Sequence, residues 1–149
     1  MKIHTKEHDG SLMHEPLDEK TLREISPVLL AYIGDAVFEL LVRTHVVADG
    51  NRRVKDIHLD TVKVVRAESQ ASVVRHLWEE LTPEEQDVVR RGRNAKSTAP
   101  RHADPGDYHL STGFEALLGY LYFKGEQKRV LYLVNRALEN NHTSSPSRG

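Results

Sequence analysis

Apolar residues recur at helical spacing along most of this 149-residue chain. The pattern predicts five helical segments and no β-strand, and therefore an all-α fold. Ser26-Pro27 marks the start of the first long helix, because serine favours the N-cap and proline favours the first helical position. The apolar positions of this helix continue to about Val47, and Gly50 is a natural stop.

The next apolar stripe runs from Val54 to Glu80 and predicts one long helix. β-Branched residues crowd positions 61–65, so we expect this helix to bend there. The segment Thr82-Pro83-Glu84-Glu85 predicts the start of a third helix, with Thr82 as the N-cap and Glu85 completing a capping box.

A long polar loop is predicted after the third helix, which we expect to end near Gly92. Residues 93–110 contain two prolines, one glycine and many polar residues. A loop of this length inside a compact domain is usually functional or disordered. Two further helices are predicted beyond it, from about Thr112 to Phe123 and from Glu126 to about Glu139, with Gly125 between them.

The length and composition predict one globular domain. The chain is 38% hydrophobic and 29% charged, which is ordinary for a folded protein of this size. We expect a flexible lead-in with a short helix over residues 1–24, one folded domain over residues 25–140, and a disordered polar tail over residues 141–149.

Cysteine is absent from the sequence. Disulfides, thiolate zinc sites and cysteine nucleophiles are therefore excluded, which suits a cytoplasmic protein. No apolar run reaches the roughly 20 residues needed to span a bilayer, so we expect no association with a membrane.

Two acidic residues, Asp35 and Glu115, lie within the two most apolar helical stretches, residues 29–42 and 111–123. No lysine or arginine lies within a helical turn of either residue, and a buried carboxylate without a partner costs several kcal/mol. The sequence therefore predicts either two buried, strained acids or one cation site built from both. The alternative is that each acid lies on a solvated edge of its helix.

Glycines favour the cation site. Gly34 directly precedes Asp35, and Gly119 lies one turn beyond Glu115. Glycine inside a helix is unfavourable unless another backbone approaches closely, so a helix crossing at these glycines would bring the two acids together. Two carboxylates suit magnesium or manganese better than zinc. Glu39, one turn after Asp35, could join them, but an ion pair with Arg43 is favoured.

Basic residues cluster after the third helix. No acid occurs between Arg90 and His102, although the net charge of the chain is −1. Phosphate-binding donors are predicted here and on the middle helix, and the alternative is a solvated charge run. The candidate RNA-binding residues are Arg91, Arg93, Asn94, Lys96, Ser97, Lys63 and Arg66.

Three ordered motifs resemble the ribonuclease III family, and specifically its Mini-ribonuclease III branch. Tyr32-Ile33-Gly34-Asp35-Ala36 resembles the family signature, and Phe114-Glu115-Ala116-Leu117-Leu118-Gly119 resembles its second motif. The run from Arg91 to Ser97 completes the likeness to the Mini branch, which lacks the separate double-stranded-RNA-binding domain of larger relatives. The resemblance covers about residues 25–140.

The resemblance implies the ribonuclease III endonuclease fold, a helical bundle that forms a homodimer with Tyr32 and Ile33 in the interface. It implies a double-stranded-RNA endoribonuclease giving 5′-phosphate ends. Asp35 and Glu115 would be the catalytic residues and would bind Mg²⁺, with Mn²⁺ as a substitute. It also implies maturation of the 23S ribosomal RNA precursor, with a ribosomal protein as a further partner.

Three departures from the larger family thin the acidic cluster to two carboxylates. The family has acids at the positions of Val28, Ala31 and Thr112. Fewer protein anions mean more water ligands and weaker magnesium binding, and whether one or two metal ions act stays open. The rival hypothesis is a non-catalytic RNA-binding dimer of the same fold, associated with ribosome assembly.

Overall fold

The computed structural model describes residues 14–144, and these form seven α-helices and one 3-10 turn. No β-strand occurs within this range, which confirms the predicted all-α fold. The helices are α1 (Glu19–Glu24), α2 (Pro27–Ala48), α3 (Val54–Val65), α4 (Ala67–Leu77), α5 (Pro83–Asn94), α6 (Pro105–Lys124) and α7 (Gln127–Ser144), with the 3-10 turn (Trp78–Glu80) between α4 and α5.

The central helix of the bundle is α6. Every residue from Ser111 to Leu121 is buried except Glu115, and α2, α4 and α5 pack around this segment. A helix that is apolar on all sides belongs in the interior of a bundle. The half-buried carboxylate of Glu115 is therefore set in the most enclosed part of the fold.

The predicted helix starts are confirmed by their capping bonds. Ser26 Oγ accepts a hydrogen bond from the Leu29 backbone N–H at 3.3 Å. The capping box is complete, because Thr82 Oγ1 accepts from the Glu85 N–H at 3.1 Å and Glu85 Oε1 accepts from the Thr82 N–H at 2.9 Å. The predicted break at Gly125 is also confirmed, since its left-handed φ of 85° ends α6.

The prediction of one helix over residues 54–80 is wrong. The chain breaks at Arg66, whose ψ of 152° is extended, and it then re-enters a helix as α4. Side chains replace bonds that the break removes. Ser69 Oγ donates to the Lys63 carbonyl at 2.6 Å, and Gln70 Nε2 donates to the Val65 carbonyl at 2.7 Å. Side-chain bonds of this kind leave no signal in the spacing of hydrophobic residues.

The loop predicted over residues 93–110 is shorter than expected. Helix α5 continues to Asn94, and α6 begins at Pro105, well before the predicted start near Thr112. Asp104 caps α6, because its Oδ2 accepts from the Asp107 backbone N–H at 2.9 Å. Asp104-Pro105 is therefore a helix start of the same kind as Ser26-Pro27, placed in a segment whose polarity obscured it.

The ends of the described chain modify the predicted domain layout. The short helix expected before residue 25 is α1, and the last helix reaches Ser144 rather than Glu139. The first four residues of the predicted tail, 141–144, are thus helical, while residues 145–149 and the lead-in residues 1–13 lie outside the described range. No helix in residues 14–144 is long and apolar enough to cross a membrane.

Candidate active site

Helices α2 and α6 cross at main-chain contact through two glycines. A β-carbon on Gly34 would overlap the carbonyl oxygen of Glu115, and one on Gly119 would overlap the carbonyl oxygen of Leu30. Any other residue would push the helices apart. The predicted crossing at Gly34 and Gly119 is therefore confirmed, and it is the reason that these two positions carry glycine.

The same crossing joins the two acids. Asp35 follows Gly34, and its side chain hydrogen-bonds to the side chain of Glu115, 80 positions further along the sequence. Glu115 is half-buried, whereas Asp35 is exposed. The interpretation of two buried acids is thus wrong for Asp35, since the pair forms a site that opens to solvent on the α2 side.

The pKa of Glu115 is raised from 4.5 to about 9. Burial is the main cause, because it removes hydration from the charged form. The hydrogen bond to Asp35 and the negative charge of Asp35 add to it, and the charge of Glu39 adds a little more. A hydrogen bond from Gln70 acts in the opposite direction. Without a cation, Glu115 therefore holds a proton at neutral pH.

The donor set fits a divalent cation. Neither Asp35 nor Glu115 forms an ion pair with a basic residue in residues 14–144. Two adjoining carboxyl groups that lack a basic partner offer hard oxygen ligands, which Mg²⁺ and Mn²⁺ prefer. Both residues would hold the ion and leave several of its positions to water.

Glu39 does not complete a larger acidic cluster. Its Oε1 accepts from Arg43 Nη2 at 2.8 Å, so the favoured ion pair is confirmed. No group of three or more histidine or acidic side chains that could hold a metal ion occurs in the described part of the chain. The carboxylates at the crossing are therefore two, as the departures from the larger family predict.

Gln70 belongs to this site, although the sequence analysis did not predict it there. Its side chain is 3% exposed and is hydrogen-bonded to both Val65 and Glu115. The sequence feature that could have identified Gln70 is its spacing, because residue 70 lies on the same face of α4 as Val74 and Leu77. A glutamine inside an apolar stripe is unusual and points to a specific polar partner.

The predicted basic loop starts beside the acid-bearing helix. Helices α5 and α6 also approach through glycines, since a β-carbon on Gly92 would lie 2.8 Å from the Gly113 Cα. This contact places Arg91 and Arg93 next to the turn of α6 that precedes Glu115. Both arginines are exposed, as are Asn94 and Lys96.

The candidate RNA-binding residues differ in whether their polar groups are already paired or buried. Arg91, Arg93 and Lys96 form no ion pair with any described acid, although Arg93 Nε donates to Asn94 Oδ1 at 3.2 Å. The Ser97 hydroxyl is buried without a hydrogen-bond partner. These cations are therefore free to bind an anionic ligand, while the serine faces inward.

Lys63 and Arg66 lie at the break between α3 and α4, and both are exposed. Each already has an acidic neighbour, Asp60 at 3.7 Å from Lys63 and Glu68 at 2.9 Å from Arg66. Val65 lies between them in this break, and its carbonyl is bonded to the Gln70 side chain, which also reaches Glu115.

One face of α2 exposes apolar side chains to solvent. Tyr32 is 76% exposed, and Ile33 next to it is half-buried. Large apolar side chains exposed at helical spacing on one face are typical of an interaction surface. The other exposed members are Val28, Leu29, Leu40 and Val47.

A family comparison identifies the class to which this helical bundle and acid pair belong. The model of the ribonuclease III domain matches residues 29–126, a range that includes both Asp35 and Glu115. The chain belongs to the ribonuclease III family.

The relatives that it resembles narrow the family to one branch. Mini-ribonuclease 3 of Symbiobacterium thermophilum is 47% identical over 116 residues, covering 77% of this chain and 89% of that protein. Mini-ribonuclease 3 of Gloeobacter violaceus is 44% identical over 133 residues, covering 88% and 98%. The resemblance to the Mini branch inferred from three motifs is thus confirmed.

A crystal structure of a Fusobacterium nucleatum protein has the same fold. It matches with a TM-score of 0.74 at 24% identity, covering 78% of this chain and 96% of that one. At this identity the match supports the architecture alone.

Proposed function

We propose that this protein is a magnesium-dependent endoribonuclease that cleaves double-stranded RNA, with Asp35 and Glu115 as its metal-binding residues. The observation that carries the proposal is the side-chain contact between these two acids at the Gly34–Gly119 crossing, in a member of the ribonuclease III family. Ribonuclease III enzymes generally depend on divalent metals, and the relatives are named as ribonucleases.

The chemistry is hydrolysis of a phosphodiester. Mg²⁺ held by the two acids would polarise the scissile phosphate and lower the pKa of a bound water. Water adds to phosphorus as the bond to the 3′ oxygen breaks, so the products carry a 5′ phosphate and a 3′ hydroxyl. Half-buried Glu115 would hold the ion as a carboxylate after losing its proton to solvent, and exposed Asp35 would hold it from the solvent side.

Substrate binding is assigned to the basic residues around the acid pair. Unpaired Arg91, Arg93 and Lys96 would bind phosphates, and Asn94 would bind a phosphate or a 2′ hydroxyl. Lys63 and Arg66 would add contacts once they leave their acidic neighbours. The surface is local, which agrees with a net charge of only −1 for the whole chain.

Assembly as a homodimer is supported by the exposed apolar face of α2. A two-fold interface buries the same patch on both subunits, and Tyr32 and Ile33 lie on or beside this patch. Because Asp35 follows directly, dimerisation would place two equivalent acid pairs near one axis. Each pair would then cut one strand of a duplex.

The cellular role follows from the family resemblance. We assign the protein to maturation of the 23S ribosomal RNA precursor in the cytoplasm, with a ribosomal protein as a stimulating partner. Base-paired precursor ends have the geometry that two sites on one axis require.

The proposal is tested with duplex RNA in four reactions. Wild-type protein should cut with Mg²⁺ and should not cut after chelation, and Asp35→Asn should not cut with Mg²⁺. The matched control is Asp49→Asn at the exposed end of the same helix, which should cut normally. Binding without cutting in every reaction would instead identify the non-catalytic RNA-binding dimer.

A further inference from the structure

Gln70 carries an unpaired polar atom in the interior of the protein. Its Oε1 is buried and has no hydrogen-bond partner, while Nε2 donates to the Val65 carbonyl at 2.7 Å. Native proteins rarely leave a buried carbonyl oxygen without a partner, because the group has lost its hydration and gained nothing in return. The unpaired oxygen therefore requires an explanation specific to its position.

The position of this amide is fixed by the chain break between α3 and α4. Val65 is the last residue of α3, and Ser69 Oγ closes the same turn by donating to the Lys63 carbonyl at 2.6 Å. The Gln70 side chain is thereby held against α6, where it also hydrogen-bonds to Glu115. The unpaired oxygen belongs to this same buried amide group, whose side chain reaches Glu115.

We propose that Gln70 Oε1 is the third protein oxygen of the metal site formed by Asp35 and Glu115, an inference that rests on the proposed function. Side-chain amide oxygens are ordinary ligands of hard divalent cations. A neutral oxygen adds a ligand without adding to the repulsion between the carboxylates. Gln70 thus compensates in part for the acids that this chain lacks at Val28, Ala31 and Thr112.

A purely structural role for Gln70 makes a different prediction. In that case the amide serves only to bind the Val65 carbonyl, and its loss lowers stability without changing affinity for a metal ion. Gln86 is the matched control, because its Nε2 also donates to a main-chain carbonyl, that of Trp78, at 2.8 Å. Gln86 lies in the first half of α5, and no contact links it to either acid.

The test is a titration with Mn²⁺ in the absence of RNA, followed by the electron paramagnetic resonance signal of the free ion. Gln70→Met keeps the length of the side chain and removes both polar atoms. It should weaken Mn²⁺ binding by about 10- to 100-fold, whereas Gln86→Met should bind Mn²⁺ like the wild type. Thermal melting without metal measures the stability cost of both variants separately.

The Gln70→Glu variant should change the affinity for Mn²⁺ in the opposite direction from Gln70→Met. A carboxylate at this position should tighten Mn²⁺ binding at pH 8 if the side chain faces the ion, because affinity rises with ligand charge. Unchanged Mn²⁺ affinity in Gln70→Met, in a wild-type protein that cuts RNA and binds Mn²⁺, would overturn the role of Gln70 alone. A wild-type protein that does not cut would overturn the proposed function instead.

Discussion

Gly34 of α2 lies directly against the main-chain carbonyl of Glu115 in α6, so closely that no β-carbon fits between them. The helix that carries one acid thus touches the backbone of the other acid itself. The close approach of the two helices therefore also brings the two acids together, and a change that separates the helices would also separate the acids.

Replacing Gly34 should destabilise the fold as well as the site. Gly34→Ala places a β-carbon on the Glu115 carbonyl, and backbone cannot yield as a flexible side chain can, so we expect a loss of about 3 kcal/mol in the free energy of unfolding. Urea denaturation measures it. Gly106→Ala is the control, because its β-carbon would meet only the Asp104 carboxylate at 3.2 Å. Equal stability of the two variants would contradict the crossing.

Replacing Glu115 should abolish cleavage and leave the fold intact. The pKa of Glu115 is about 9 in the folded protein against 4.5 as the reference value. The folded state therefore keeps a proton that the unfolded state releases, and the stability of the metal-free protein falls as the pH rises through this window.

Glu115→Gln cannot ionise and should escape that loss. We expect wild-type and variant proteins to melt alike at pH 4, and the variant to be more stable by on the order of 2 kcal/mol at pH 9, with partial hydration reducing the full effect. Thermal melting in the presence of a chelator is the measurement. A large drop in melting temperature of the variant at pH 7 would show that the carboxyl group has a structural role.

Removing one basic side chain should weaken RNA binding in a salt-dependent manner. Arg93→Ala should lower affinity for duplex RNA and reduce the slope of log Kd against log salt by about one, because one phosphate contact is lost. Lys128→Ala on α7 removes the same charge far from the acid pair and should keep the wild-type slope. Filter binding at several salt concentrations compares them, and an unchanged slope for Arg93→Ala would remove that residue from the interface.

Charge on the exposed face of α2 should prevent dimerisation. Tyr32→Glu would place a carboxylate opposite its own copy across a two-fold axis, and like charges in an apolar interface are strongly unfavourable. Light scattering should give a dimer for the wild type and a monomer for the variant. Lys55→Glu on α3 is the control, and a monomeric wild-type protein would refute the proposed assembly.

Features encoded by neighbouring residues were predictable from the sequence. Ser26-Pro27 and the capping box at Thr82 define helix starts by bonds that span three residues, so local pattern was sufficient. The meeting of Asp35 and Glu115 was also predictable, because Gly34 beside Asp35 and Gly119 one turn beyond Glu115 indicated where two backbones had to touch.

Features that depend on side-chain hydrogen bonds or on how the helices pack were not predictable in the same way. The break at Arg66 is stabilised by Ser69 and Gln70 side chains bonding to carbonyls of α3, and hydrophobic spacing contains no record of such bonds. Exposure of Asp35 depends on how its helix rotates at the crossing. Burial of Gln70 depends on where α4 packs against α6, and so its unpaired oxygen appears only in three dimensions.

The bond between Glu85 and Arg129 should make the protein sensitive to acid. Burial pushes the pKa of Glu85 upward, but hydrogen bonds from Arg129 and from the Thr82 N–H outweigh it, so the pKa lies below its ordinary value. The two hydrogen bonds that the Arg129 guanidinium donates to the Glu85 carboxylate are both 2.8 Å long. A lowered carboxyl pKa contributes stability that is present above about pH 4.5 and is lost as the pH falls through the folded value.

Glu85→Gln retains an oxygen for the helix cap but leaves Arg129 without its charge partner. We expect a cost of about 3 kcal/mol at pH 7, which should narrow as the pH falls through the lowered pKa of Glu85 and the wild-type carboxylate itself becomes protonated. Glu139→Gln removes an exposed partner of Arg136, 3.7 Å away, and should cost less than about 1 kcal/mol. Denaturant unfolding at pH 7 and pH 3.5 makes the comparison. A difference between wild-type and Glu85→Gln proteins that stays constant across this range would mean that the ion pair contributes nothing to it.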